Sequence, residues 1–435
     1  MPAWSHQKAP ARHFTYTEDI DFYLYACQIN DRRIFNGHML EFNMPVHEGW
    51  NIVNIAMQVP ESHQIFVCPE NCARGVVMTA LEMDAADRIS CVAVDERDLI
   101  VDNLETVTID GASEVVDELE ERPRVIFLFT VCSHRVLSCD FDYVFKTLRK
   151  KYPDIIWEHA FMDCIGQKEG PAPDVKLRCA MYDFLPKSET DEKIVNLLGS
   201  EVTATASDND IVDFYKKRGF RVRQLSDIHT FDEYMKLGNA SLNICMYKPG
   251  DEGVRRFSER LGIPYELKLP FYDFADEYQS DGGLEALRDL IGDTPVVIDS
   301  MAVSCPYSLA EFLSDLGFHV QAVVAEGPAD YEKDIYDRLV EKYPSLMTVR
   351  PTDPRLREES YRASLIDVAS GSKILAIGPM AAWVYDTPYF VNQIEDDGCY
   401  GHNGVNALFE KMKDAFDNPK DLQHIVSRKA LGCCC

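Results

Sequence analysis

Two cysteines four positions apart, Cys68 and Cys72, sit where an apolar run, Ile65-Phe66-Val67, breaks at Pro69 and resumes as a helix-like segment through Met83. A strand-to-helix corner exposes backbone N–H groups, and their field favours negative charge. A thiolate gains from that field, and the thiolate is the form that binds metal. Two small buried hydrophobes at a packed corner are the plain alternative, because free cysteine is among the most buried residue types. A second corner has the same makeup. The run Arg124–Val131 is continuously apolar and β-branched, which suits a buried parallel strand. It ends in Cys132-Ser133-His134-Arg135-Val136-Leu137-Ser138-Cys139-Asp140, followed by an amphipathic helix through Phe141, Val144, Phe145 and Leu148. Parallel α/β sheets place their ligands along this carboxyl edge of the strands.

The elements that would position these residues come in a repeating rhythm. Before the first corner, Pro45-Val46-His47-Glu48-Gly49-Trp50 leads into the helical pattern Ile52, Val53, Ile55, Ala56, Val59, with His47 near its start. Leu99–Glu121 is acidic, and Thr106-Val107-Thr108-Ile109 reads as a short strand. From about residue 190 the pattern resets, with strands at Ile194–Gly199, Gly219–Val222 and Ala240–Cys245 alternating with helices at Asp210–Arg218, Thr230–Leu237 and Gly253–Leu261. A third cycle opens at Thr294–Asp299 and runs through strands Phe318–Val324 and Ser372–Ile377. It closes in the polar loop Asp396–Gly404 and a helix, Val405–Phe416. Such β-α alternation with short connections predicts an α/β protein of three doubly wound, Rossmann-like domains with parallel sheets. Their boundaries are expected at residues 1–190, 191–293 and 294–435.

Composition narrows the function. The chain has 435 residues, and 44 Lys+Arg against 72 Asp+Glu give a net charge of −28. A chain so acidic is a poor partner for nucleic acid or an anionic membrane. No apolar run is long enough to span a bilayer, and Met1-Pro2-Ala3-Trp4 opens no signal-type apolar region, so a cytoplasmic protein is expected. Fourteen cysteines in such a compartment point to metal binding or burial rather than a disulfide framework. Cys27, Cys91, Cys164, Cys179 and Cys305 read as core or pocket positions, and the terminal Cys433–Cys435 run does not fit a prenylation signal. A dinucleotide-type Gly-x-Gly-x-x-Gly, a P-loop and a Gly-x-Ser-x-Gly elbow are all missing, so ATP hydrolysis through a P-loop is not expected of this chain.

The motifs and the three-module rhythm resemble the nitrogenase component 1 family, which includes nitrogenase molybdenum–iron protein subunits, cofactor scaffolds and dark-operative protochlorophyllide reductase subunits. Val67-Cys68-Pro69-Glu70-Asn71-Cys72 resembles the family's His-Gly-Pro-x-Gly-Cys element, which puts Cys72 at a cluster ligand and Cys68 at a glycine. Cys132–Asp140 resembles its Cys-x-x-x-x-Ile-Gly-x-Asp element, with Cys132 at a second ligand, Ser138 at the Gly and Asp140 at the Asp. His47 falls where the family has its first ligand cysteine, so His47, Cys68 or a partner subunit would complete the set. Gly262-Ile263-Pro264-Tyr265 and Gly401-His402-Asn403-Gly404 resemble later family elements. Cys245 lies near the family's cofactor cysteine, and Tyr400, flanked by Cys399 and His402, near its cofactor histidine.

The resemblance implies an anaerobic electron-transfer oxidoreductase with an iron–sulfur cluster, [4Fe–4S] or larger, and a second metallocofactor as an option. It implies an ATP-dependent iron–sulfur reductase as electron donor and a homodimer or a homologous component 1 subunit as partner. A small substrate would be reduced in an interdomain cleft onto which Cys245, Cys399, Tyr400 and His402 open. A scaffold that carries a cluster or cofactor without turnover is the alternative. A metal-free α/β protein that binds a small ligand is a third.

Overall fold

The computed structural model describes residues 44, 51–101, 103–163, 170–200, 209–269, 283–365, 372–398 and 400–424. His47, Cys27, Cys164, Cys399 and Cys433–Cys435 lie outside the described residues.

Thirteen described strands form three sheets, and every strand pair in them is parallel. In the first, β1 (Ser62–Cys68), β2 (Ile89–Ala93), β3 (Val125–Val131) and β4 (Ile156–Met162) take the order β2-β1-β3-β4. The second holds β5 (Asp191–Leu198), β6 (Arg221–Gln224), β7 (Ala240–Cys245) and β8 (Tyr265–Leu267), ordered β6-β5-β7-β8. The third holds β9 (Val296–Asp299), β10 (Val320–Val324), β11 (Met347–Val349), β12 (Leu375–Ile377) and β13 (Phe390–Val391), ordered β11-β10-β9-β12-β13. In each, the chain winds outward from its first strand and then returns to that strand's other side. This is the doubly wound pattern, and it fixes where ligand-binding loops emerge.

Sequence explains the elements closely. All seven residues of β1 and of β3 are buried, as strands covered by helices on both faces must be. Helix Phe141–Lys151 buries Val144, Phe145 and Leu148 at helical spacing and turns its charges outward. Helix Asp251–Leu261 ends at Gly262, whose φ of 66° is the left-handed cap that turns the chain toward β8.

One expectation is corrected. Thr106–Ile109 is not a strand but part of helix Leu104–Glu118. Four residues of high β propensity suggest a strand locally. Yet Leu104, Thr108, Ala112 and Val116, four apart, form the buried stripe, and packing that stripe outweighs propensity.

The described residues fall into two compact units. One comprises those within Glu48–Asp273 and Glu395–Val405, and it contains the first and second sheets. These sheets share one core, in which Phe66, Phe127 and Phe129 join a cluster with Tyr182, Tyr234 and Phe257. The other comprises those within Phe274–Ile394 and Asn406–Ala430, with Met44. It contains the third sheet, and its core gathers Val297, Ala322, Val324, Ala376, Tyr385 and Phe390. No helix among the described residues is long and apolar enough to cross a membrane.

Candidate metal centre and second site

At the end of β1, Pro69 turns the chain into helix Glu70–Glu82, and the Cys72 N–H donates to the Pro69 carbonyl at 2.9 Å. Cys72 is therefore the third residue of that helix, within reach of its N-terminal field. At the end of β3, Cys132 opens the short helix Cys132–Val136. The two strands are neighbours, with Val67 opposite Thr130, so Cys72 and Cys132 follow adjacent strand ends on one sheet edge. Both are half-buried.

Cys68 is different. It is 1% exposed and belongs to the hydrophobic core. Burial pushes its thiol up to about 12, and the nearby Cys91 and Cys72 add to the rise. At neutral pH it is a protonated packing residue.

The second corner is braced by its own motif. Ser138, at the motif's glycine position, has a φ of 56°, in the left-handed region where glycine is the easy choice. Asp140 caps helix Phe141–Lys151 by accepting the Tyr143 N–H at 2.9 Å, while its own N–H donates to Glu105 at 2.7 Å. His134 is wholly buried; its Nδ1 accepts the Val131 N–H at 3.4 Å, so its Nε2 carries the proton and faces Thr108 Oγ1 at 3.2 Å. Apolar side chains stand exposed at the ends of the short helices that follow β2 and β3: Ile100 at 82%, Val101 at 58% and Val136 at 66%.

The other predicted residues belong to a second place in the same compact unit. Cys245 ends β7, is fully buried, and donates its thiol to the Tyr247 carbonyl at 3.2 Å. Gly199, at φ 93°, covers it closely, since a Cβ there would lie 2.5 Å from Cys245 Sγ. Tyr247 lies under the Arg178 guanidinium at 5.1 Å. Arg178, 1% exposed, pairs with Asp174 at 2.9 Å and Glu395 at 3.0 Å. Burial, with Glu395 next, raises the Tyr247 hydroxyl well above its ordinary range. The segment containing Tyr400 and His402 is fastened separately: Asn209 Nδ2 donates to the Tyr400 carbonyl at 2.6 Å, and the Asn403 N–H to Asp210 at 3.0 Å. Tyr400 is buried and His402 half-buried. Cys245 is thus tied through Tyr247 and Arg178 to the start of the 395–403 segment. Arg178 and Glu395 escape sequence reading, because an arginine between Leu177 and Cys179 looks like any helical arginine until its burial is known.

Among the described residues no three His, Cys, Asp or Glu side chains come together in a metal-holding group. Two half-buried thiols at neighbouring strand ends are donors of the kind an iron–sulfur cluster takes. They do not complete one by themselves.

Parallel doubly wound sheets make this an α/β protein of the class whose ligands sit at the carboxyl ends of the strands. The family model described as "Nitrogenase component 1 type Oxidoreductase" matches residues 53–298, and the chain belongs to that family. The family binds iron–sulfur clusters, forms oligomers and works with an iron protein partner. A curated relative, the "Nitrogenase iron-molybdenum cofactor biosynthesis protein NifE" of Clostridium pasteurianum, is 29% identical over 188 residues. That match covers 42% of this chain and about 40% of the relative's length. The structure described as "Nitrogenase Cp1 at pH 6.5" has a TM-score of 0.63 at 13% identity, covering 88% of this chain and 94% of the other. "Nitrogenase Cp1 at pH 5" gives 0.55 at 12% identity, over 87% and 89%. These two likenesses establish the fold.

Proposed function

We propose that the protein is an electron-accepting component 1 subunit that holds one side of an iron–sulfur cluster through Cys72 and Cys132, a second subunit supplying the rest. The observation that carries this reading is the placement of both thiols after adjacent parallel strands on one edge. A bound iron–sulfur cluster takes up and passes on single electrons. The chain's own part is to orient two thiolates, to favour the charge of Cys72 at a helix start, and to keep Cys68 protonated. Ile100, Val101 and Val136, exposed at the ends of short helices on the same edge, suit a face that a second subunit covers. With no P-loop in the sequence, ATP hydrolysis falls to a separate iron–sulfur reductase.

A second reading, a scaffold on which a metallocofactor is built, draws support from the named role of the curated relative. Under either reading Cys245, sealed under Gly199 and bonded to a carbonyl, is a packing thiol and not a cofactor ligand. The two readings part under anaerobic mixing with an ATP-hydrolysing iron–sulfur reductase and reductant. The lead reading expects the brown iron–sulfur absorption of the purified chain to bleach only when MgATP and the reductase are both present. ATP hydrolysis by the chain alone at the assembled rate would sink it. Transfer of metal to a cofactor-free acceptor, without such bleaching, would establish the scaffold.

A further inference from the structure

A cleft of about 450 Å³ opens beside β4, an edge strand of the first sheet, and none of the candidate metal or cofactor residues lines it. Helix Phe141–Lys151 forms one wall, and helices Pro173–Asp183 and Asp251–Leu261 form the other. Its floor is aromatic. The His159 ring lies 4.4 Å from Phe141, 5.0 Å from Phe145 and 4.0 Å from Phe161, centroid to centroid. Thr130 Oγ1 holds His159 Nε2 at 2.8 Å. Burial, with His134 and Lys176 adding, lowers this imidazole to about 3, so it is neutral and behaves as one more flat ring.

Cations stand over that floor. Lys176 lies 4.9 Å from the Phe161 centroid, and Arg149, fixed by donating to the Trp157 carbonyl at 2.8 Å, lies 5.4 Å from Phe145. Lys146 lines the same space. Arg256 is already taken by Asp183 at 3.1 Å. The acidic lining offsets the other three only in part. Asp142 and Glu252 lie in the first turns of their helices, where N–H groups compensate a carboxylate. Glu158 is pushed up to about 7, by burial above all, and so carries only part of its charge at neutral pH. Four basic and four acidic side chains line the cleft, so in a chain of net charge −28 it is locally balanced, and the partly protonated Glu158 leaves a small excess of positive charge.

We propose that this cleft is a binding site for a small organic anion with a flat apolar body, of the aromatic carboxylate class. The anionic group is drawn by Lys146, Arg149 and Lys176, and the body lies against His159 and its three phenylalanines. The site is independent of the cluster and of the reading given above.

Calorimetry and saturation-transfer NMR on the full chain test it with three probes: benzoate, its neutral analogue benzamide, and inorganic phosphate. Benzoate is expected to bind about tenfold more tightly than either of the others, because only it offers both charge and ring. Lys146→Gln combined with Lys176→Gln should weaken benzoate by about tenfold, and Glu158→Gln should strengthen it roughly two- to threefold, since a competing carboxylate is removed. The unsubstituted protein gives a further reading that needs no variant: benzoate affinity should fall as potassium chloride is raised. No benzoate binding at millimolar concentration, equal binding of benzamide, or a salt-independent affinity would each overturn the site. Phosphate binding as tightly as benzoate would overturn the organic body.

Discussion

A thiol ligates iron as the thiolate, so the free energy of removing its proton divides the cysteines at the first sheet's edge. Cys72 and Cys132 are half-buried beyond the strand ends, whereas Cys68 is the last residue of β1, inside the core, with its thiol raised to about 12. The sequence makes the corner legible through Pro69 and the change from strand to helix pattern. It cannot say which of two nearby cysteines is sealed in the core, because that depends on where β1 ends and on the helices covering it. Histidines carry a second residue-scale consequence. His63, 4% exposed and bonded to Ser90 at 2.9 Å, is lowered to about 4, by burial first and then by Arg88, against an opposing Asp87. The unfolded chain binds this proton near pH 6.5 and the folded chain only near pH 4, so the unfolded state gains protons as pH falls between the two. Stability is therefore full above about pH 6.5 and falls toward pH 4; His63 alone contributes a loss of about 2 kcal/mol on going from about pH 7 to about pH 5. Urea midpoints at the two pH values check this, and His63→Gln should flatten the fall. An unchanged slope in that variant would mean that His63 is not buried neutral.

Among the elements, those with a continuous or strictly periodic apolar pattern were legible: β1, β3, β5, β7 and the helices after them lie where their residues predict. Helix Leu104–Glu118 is hidden in the sequence because Thr106–Ile109 favours a strand locally, and only the neighbouring sheet reveals the stripe at every fourth residue. Strand β4 carries Glu158 and His159 at an edge, which breaks the apolar run that marks a central strand. Helix contacts leave still less trace in sequence. Gly253 permits helix Asp251–Leu261 to approach helix Pro173–Asp183 so closely that a Cβ there would meet the Arg178 carbonyl oxygen at 2.7 Å. Both partners at that contact are backbone, which cannot swing aside. Gly253→Ala should therefore destabilise the unit holding the first two sheets by about 1–3 kcal/mol, the range for overpacking. Gly170→Ala, with nothing among the described residues within 4 Å of its Cβ, should stay within about 0.5 kcal/mol. Denaturant midpoints at unchanged slope decide; equal effects of the two substitutions would refute the close approach.

At the scale of the molecule, three parallel sheets present three carboxyl edges, and the chain belongs to the component 1 family. The motif around Cys132 was readable because its geometry is demanding. Ser138 must take a left-handed φ and Asp140 must cap the next helix, and both constraints show as residue types at fixed spacing. The buried chain from Cys245 through Tyr247 and Arg178 to Glu395 was not readable, since its members lie up to 217 residues apart and meet only in the folded unit. The central claim, that Cys72 and Cys132 hold one side of an iron–sulfur cluster, is tested most directly by iron and acid-labile sulfide per chain after anaerobic purification. The native chain, Cys68→Ala, Cys72→Ala and Cys132→Ala should be compared, each with its fold checked by circular dichroism. Iron and sulfide in the native chain and Cys68→Ala, with both lost from Cys72→Ala and Cys132→Ala, is the result predicted; full iron and sulfide in the latter two variants would contradict the account.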